Sequence, residues 1–368
     1  MAALPGISGV VGNSHKHRLV ELALGPTPNS FVPVSLLVGK RPTTNGQRPP
    51  TTDERPIFVS DIFAHTELLA APVFDASNGR TRPNLKVQDG CDNRCSFCVI
   101  PSVRGHSRSL PLAKVIDEIM GLVSVGYQEV VISGINLGRW GRDLDGRYSF
   151  EELVRAIVCE TSLAKLRISS VEPMDWSDEL IALMANSPRI AKHAHVPMQS
   201  ASDAVLRRMH RKYRPSHYRE KLEKIRSAMP DAAIGADVMT GFPGETGAEF
   251  EETRRAVEAL PFTYLHVFTY SSRPGTPAAA LPQVPVQVAR ERNRVLREIA
   301  SQKKLEFMGS FVGSTVEAIT LDVFDGRFTE ALTDNYLKVR LTGQHEPNRW
   351  VKATLERVES ELIGRVED

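Results

Sequence analysis

Three of the chain's four cysteines, Cys91, Cys95 and Cys98, fall in one run, Gly90-Cys-Asp-Asn-Arg-Cys-Ser-Phe-Cys-Val-Ile-Pro101. Thiols this close repel one another once ionised and are costly to desolvate, so a metal centre that takes them as thiolates is the economical account. Two centres fit the spacing. A four-iron cluster held by three cysteines keeps one iron without a protein ligand, free to chelate a small molecule. A structural zinc ion instead needs a fourth side chain, and His106 is the candidate. Cys159 stands apart, beside Ile157 and Val158 on an apolar helical pattern, and reads as a small buried hydrophobe without a chemical role.

Such a triplet has to sit on a loop, and the surrounding pattern supplies one. Short β-rich runs at residues 85–88, 129–132, 165–168, 193–196, 234–239 and 264–268 alternate with amphipathic helical stretches. This alternation predicts an α/β fold of six β/α units. Ser149 with Glu152, and Thr246 with Glu249, have the spacing in which side chains satisfy the free amides of a helix's first turn. The loops ahead of such helices gather at the carboxyl ends of parallel strands, where ligands bind. A charged helical pattern over 286–307 leads out of this domain, and polar and apolar residues then alternate over 315–366, predicting a small antiparallel β-barrel. Residues 25–76 read as linker.

The length of 368 residues favours two domains. A formal net charge of +2 argues against a protein wrapped wholesale around nucleic acid and leaves local basic patches to make any such contact. No apolar stretch is long enough to cross a bilayer, nothing near Met1 reads as a secretory signal, and the clustered cysteines are unlike a disulfide framework. A cytoplasmic protein with no membrane partner is expected.

Eight motifs occur in order: Lys86-Val-Gln-Asp-Gly-Cys91, Arg104-Gly-His-Ser-Arg-Ser109, Ile132-Ser-Gly-Ile-Asn-Leu-Gly138, Arg167-Ile-Ser-Ser-Val-Glu-Pro173, His195-Val-Pro-Met-Gln-Ser200, Met209-His-Arg-Lys-Tyr213, Asp237-Val-Met-Thr-Gly-Phe-Pro-Gly-Glu-Thr246 and Tyr270-Ser-Ser-Arg-Pro-Gly-Thr276. Together they resemble the radical S-adenosylmethionine (SAM) methylthiotransferases. The first and fourth look like the transfer-RNA branch that acts on threonylcarbamoyladenosine. The resemblance implies a partial (βα)6 barrel over 77–308, with a [4Fe-4S] cluster on Cys91, Cys95 and Cys98 and SAM across the strand ends. It places Phe97, Ser133, Gly134, Ser170, Glu172, Gln199, Arg211 and Asp237 as SAM contacts. One electron from the cluster would split SAM, the resulting radical would take hydrogen from carbon 2 of an adenine, and a methylthio group would replace it. A ribosomal-protein methylthiotransferase is the alternative enzyme, and a shortened RNA-binding protein without sulfur transfer is the alternative binder.

Members of that family begin with a domain whose three cysteines hold an auxiliary cluster. No cysteine precedes Cys91, so residues 1–24 resemble only that domain's tail; a start set too late, a separate chain supplying the auxiliary cluster, and SAM cleavage without sulfur transfer are the alternatives. A flavodoxin- or ferredoxin-like electron donor is implied as well. For the RNA, Arg207, Arg208 and Lys212 are candidate phosphate contacts and Tyr213 a candidate stacking platform; a solvated helix face partnered by Glu220 and Glu223 is the plainer reading. Residues 309–368 resemble the TRAM domain, a small RNA-binding barrel, with Tyr336, Lys338 and Arg340 as candidate contacts to a tRNA anticodon stem-loop.

Overall fold

The computed structural model describes residues 10, 11, 19, 57, 58, 62–64, 68 and 81–367. Most of the N-terminal remnant expected at 1–24, and most of the linker expected at 25–76, lie outside the described residues. What is described there includes β1 (Val10–Val11), paired in parallel with β2 (Ile57–Phe58).

The main domain runs through β3 (Asn84–Lys86), β4 (Gln88–Asp89), α1 (Ile100–Arg104), β5 (Arg108–Ser109), α2 (Leu112–Ser124), β6 (Glu129–Ser133) and α3 (Phe150–Glu160). It continues through β7 (Lys165–Ile168), α4 (Asp178–Asn186), β8 (His193–His195), α5 (Asp203–Arg208), α6 (Pro215–Ala228), β9 (Ala233–Thr240), α7 (Gly247–Ala259) and β10 (Tyr264–Thr269). Parallel sheets β3-β6-β7 and β8-β9-β10 are joined by the parallel bridges Leu166–Ile190 and Ser170–His195 into one six-stranded wall. Its outer face is apolar: Val130, Ile132, Leu166, Ile168, Ala194, Ile234 and Val238 share a core with Ile119, Leu153, Leu222 and Ile225 of the helices. All six strands expected from the sequence are present. The first divides at Val87: Leu85 and Lys86 pair with β6, while Gln88 and Asp89 turn to pair with β5.

Both anticipated helix starts are capping boxes. Ser149 Oγ accepts from Glu152 N at 3.1 Å, and Thr246 Oγ1 from Glu249 N at 3.2 Å, while each glutamate carboxylate accepts the cap residue's own N–H. Caps of this kind are worth about 1 kcal/mol each. Cys159 corrects the sequence reading. The buried stripe of α3 is Phe150, Leu153, Val154, Ala156 and Ile157, and Cys159 falls off it, exposed.

α8 (Val286–Gly309) leads to β11 (Thr315–Phe324), β12 (Phe328–Thr333), β13 (Lys338–Thr342), β14 (Trp350–Val358) and β15 (Leu362–Val366), which close into a barrel in the order β11-β12-β13-β15-β14. The expected antiparallel pairing holds at every junction but one, β13 with β15, which is parallel. An odd number of strands cannot alternate direction all the way round a closed ring, so one parallel pair is obligatory. Ala318, Ala331, Val339, Leu341, Ala353, Leu355 and Leu362 fill the interior.

Arg167 ties this barrel to the main domain. Its guanidinium pairs with Glu129 at 2.6 Å and donates to Thr333 O at 3.1 Å and Asp334 O at 3.0 Å, with the two side chains 2% and 0% exposed. Among the described residues no helix is long and apolar enough to cross a membrane.

Candidate active site

The cysteine loop follows β4 and is pinned from below and behind. Gln88 is buried; its side-chain N–H groups donate to Asp89 O, Gly90 O and Ser107 Oγ, all at 2.9 Å, and its Oε1 accepts Asn136 N at 2.7 Å. Gly90 makes the turn into Cys91 at φ +71°, where a Cβ would lie 1.9 Å from His106 O. Ser96 donates through N to Met209 O and through Oγ to Arg208 O, fixing the loop to the end of α5. Gly90→Ala is therefore expected to displace the loop. The backbone conformation alone costs about 1–2 kcal/mol, and iron retained after anaerobic reconstitution should drop well below wild type while the thermal melt of the barrel stays close to it.

Each of the three sulfurs receives an N–H. Asn93 N and Asn136 Nδ2 reach Cys91 Sγ at 3.4 and 3.7 Å, Arg211 Nη1 reaches Cys95 Sγ at 3.4 Å, and Ile100 N reaches Cys98 Sγ at 3.4 Å. Burial, reinforced by the neighbouring thiols, pushes the Cys91 and Cys98 pKa values up. A positive centre is thus needed to hold them as thiolates, and the N–H donors then soften the charge on sulfur.

The geometry separates the two metal readings. In a tetrahedral zinc site with Zn–S of about 2.3 Å, sulfurs lie about 3.8 Å apart. Among the described residues, the only set of three or more His, Cys, Asp or Glu side chains whose ligand atoms all lie within 4.8 Å of one another is His195, Asp237 and His266. The three thiols are spread more widely than one ion can span, as ligands of separate irons must be. His106 Nδ1 lies 2.7 Å from Asp92 Oδ1 and its ring packs edge-on against Phe63.

Around the thiols the structure gathers several of the expected SAM contacts. Arg211 is buried, paired with Glu172 and touching Cys95, yet its Nε has no partner. Gln199 holds a left-handed backbone at φ +59°, and its buried Oε1 is also unpartnered, as is Asn136 Oδ1. Leaving a buried polar atom unsatisfied costs about 1–3 kcal/mol, so these atoms fit a ligand that brings its own amino, carboxylate and hydroxyl groups, as SAM does. Burial pushes the Glu172 carboxyl up despite Arg211. Burial acts the same way on Asp237, but hydrogen bonds from His195 and His266 outweigh it and hold that carboxyl well below its ordinary value. Ser170 lies at the end of β7, bridged to His195. Phe97 packs edge-on against Phe242 at 6.3 Å. Ser133 bonds Asn84, and Gly134 lets Gln88 approach, since a Cβ there would lie 2.9 Å from Gln88 Oε1. Gln88, Asn136 and His195 sit inside the quoted motifs but were not singled out there, and His266 carried no sequence signal.

One RNA expectation needs correction. Tyr213 is 3% exposed, its hydroxyl donates to Met198 O, and Arg211 covers its ring at 5.1 Å, so no base can stack on it. Arg208 pairs with Glu249 through two bonds of 2.8 and 2.9 Å and stays 33% exposed. Arg207 pairs with Asp203 but stays 67% exposed. Lys212 is exposed and lines a cleft with Asp92, Asn93, Asn136, Arg139 and Arg142, beside the cysteine loop. In the C-terminal barrel Lys338 is exposed, Arg340 lies over Phe328 and bonds Asp325, and the ring of Tyr336 stacks on His193 at 4.4 Å.

Residues 85–257 match the radical SAM superfamily. The threonylcarbamoyladenosine tRNA methylthiotransferase of Rickettsia prowazekii is 37% identical over 79% of this chain and 68% of its own length. The enzyme of the same name from Bacillus subtilis is 34% identical over 94% of this chain and 72% of its own length. The tRNA-2-methylthio-N(6)-dimethylallyladenosine synthase of Acidothermus cellulolyticus is 42% identical, over 65% of this chain and 48% of its own length. Relatedness of that extent, on a barrel whose rim carries three cluster-spaced thiols, means that the chain belongs to the radical SAM tRNA methylthiotransferases, a family that works with a [4Fe-4S] cluster and SAM.

Proposed function

We propose that this chain adds a methylthio group to carbon 2 of N6-threonylcarbamoyladenosine, next to the anticodon of a tRNA. The observation that carries the reading is a three-thiol loop set against buried, unpartnered polar atoms, Arg211 Nε and Gln199 Oε1, in the segment after β8. The likeness to threonylcarbamoyladenosine enzymes along 94% of the chain supports the choice of base. When bound, the cluster and SAM together supply the radical that removes hydrogen from the base.

The chain's own groups bind and orient. Cys91, Cys95 and Cys98 hold the cluster, and the N–H groups of Asn93, Ile100, Asn136 and Arg211 stabilise charge on their sulfurs. Arg211, charged and with a free N–H, suits the carboxylate of SAM, and Gln199 Oε1 suits its amino group or a ribose hydroxyl. Phe97, Ser133, Gly134, Ser170 and Glu172 line the same rim. Arg207, Lys212, Lys338 and Arg340 offer cations to the phosphates of the stem-loop. The working division is a catalytic unit over 77–308 and an RNA-binding unit over 309–368, acting in the cytoplasm with a flavodoxin- or ferredoxin-like reductant.

The test is an anaerobic assay of the reconstituted protein with reductant, SAM and unmodified-at-carbon-2 tRNA, with and without a chain carrying the auxiliary cluster. The expected products are 5′-deoxyadenosine and 2-methylthio-N6-threonylcarbamoyladenosine by mass spectrometry of the digested tRNA. A methylthio group found only on a dimethylallyl-type adenosine, or only on a ribosomal protein, would overturn the substrate assignment.

A further inference from the structure

Three adjacent strands bring three side chains to one point. His195 ends β8, Asp237 lies in β9 and His266 in β10, with His266 and Asp237 direct register partners. His195 Nε2 and His266 Nδ1 each lie 3.3 Å from the same oxygen, Asp237 Oδ1, and all three ligand atoms fall within 4.8 Å of one another. Ligands carried on paired strands are held more rigidly than ligands on loops. Two imidazoles and one carboxylate on one face are the donor set that divalent first-row transition ions accept, leaving further positions for water or a substrate oxygen.

The surroundings match what a metal-bound histidine requires. The other nitrogen of His195, Nδ1, lies 2.9 Å from the Tyr264 hydroxyl, which also lies 2.6 Å from His193 Nε2. That hydroxyl has one proton to give. With an ion bound, the Nε2 lone pair of His195 would face it while Nδ1–H donates to Tyr264 and Tyr264 donates to His193; with no ion, His195 Nε2–H donates to the Asp237 carboxylate. A histidine ligand whose far nitrogen is fixed by a hydrogen bond is the usual arrangement at metal sites. Gly235 makes room for it: a Cβ there would lie 1.9 Å from Tyr264 Cζ, so the bare backbone is what admits the tyrosine ring.

We propose that His195 Nε2, Asp237 Oδ1 and His266 Nδ1 form a second metal site, separate from the cysteine cluster, that binds one divalent first-row transition ion. Asp237, expected from the sequence as a SAM contact, serves there as the carboxylate ligand. The three-thiol loop contributes nothing to this site, so its occupancy and that of the cluster vary independently.

The test uses the full chain with its cluster reconstituted and Mn2+ as the probe, following the loss of the free-ion electron paramagnetic resonance signal on titration. One Mn2+ per chain is expected to bind, and Zn2+ should displace it, in the usual affinity order of these ions. His266→Ala removes a ligand from a side chain that is 61% exposed, so folding is spared. Tyr264→Phe removes only the orienting hydroxyl and should weaken binding about 10–100-fold; His266→Ala should weaken it at least as much, with cluster iron unchanged in both. Absence of bound Mn2+ in the wild type, or equal binding by wild type and both variants, would overturn the proposal and leave the three residues as a proton-sharing hydrogen-bond cluster.

Discussion

Cys95→Ala is expected to strip the protein of its cluster, from about four irons per chain to less than about one after anaerobic reconstitution, and to take 5′-deoxyadenosine formation to background. Cys95 is the thiol that Arg211 touches, so its loss removes a ligand and at the same time strands a buried guanidinium N–H. The two remaining thiols, both with raised pKa values, then lack the third point needed to hold a cluster against dissociation. His106→Ala provides the contrast. Its imidazole is bound to Asp92 at the surface, so iron content and SAM cleavage should remain within about twofold of wild type; a metal site closed by His106 would instead lose its ion in both variants.

The second large effect concerns stability. Glu129→Ala leaves the Arg167 guanidinium, 2% exposed, without its carboxylate, and breaking such a buried pair from one side costs about 3–5 kcal/mol. Arg82, 3.4 Å from Glu129, also loses its partner. Because Arg167 simultaneously donates to Thr333 O and Asp334 O of the C-terminal barrel, the loss should loosen the junction between the two units as well as the main barrel. Urea unfolding followed by far-ultraviolet circular dichroism checks this, with a midpoint shifted strongly down. The double variant Glu129→Leu with Arg167→Met, apolar on both sides, should recover most of the loss. A shift of less than about 1 kcal/mol for Glu129→Ala would show that water reaches the guanidinium.

Period and capping made most of the frame legible. The six strands and the two capped helices follow from local patterns that tertiary packing reinforces, and the three cysteines stand on a loop after the first strand, where the alternation of elements puts them. Other features depend on phase or on register. Tyr218, Leu222 and Ile225 form the buried stripe of α6, and Tyr213, the candidate stacking platform, is buried beside Tyr218 with the two rings 5.9 Å apart. Cys159 fails in the same way, since an apolar neighbourhood says less about burial than position on the helix stripe. The split of the first strand at Val87 reflects Gln88, whose buried side chain is needed under the cysteine loop and so draws its backbone off the sheet. The His195, Asp237 and His266 group exists only once three strands are in register, and no spacing along one chain encodes that.

Whether the three thiols would hold a cluster open to SAM is tested directly by electron paramagnetic resonance of the reduced protein, prepared without oxygen, before and after adding SAM. A reduced four-iron signal that changes shape on addition of SAM, with methionine and 5′-deoxyadenosine then formed in equal amounts, is the predicted result. A signal indifferent to SAM, or a colourless protein holding a single zinc, would contradict it.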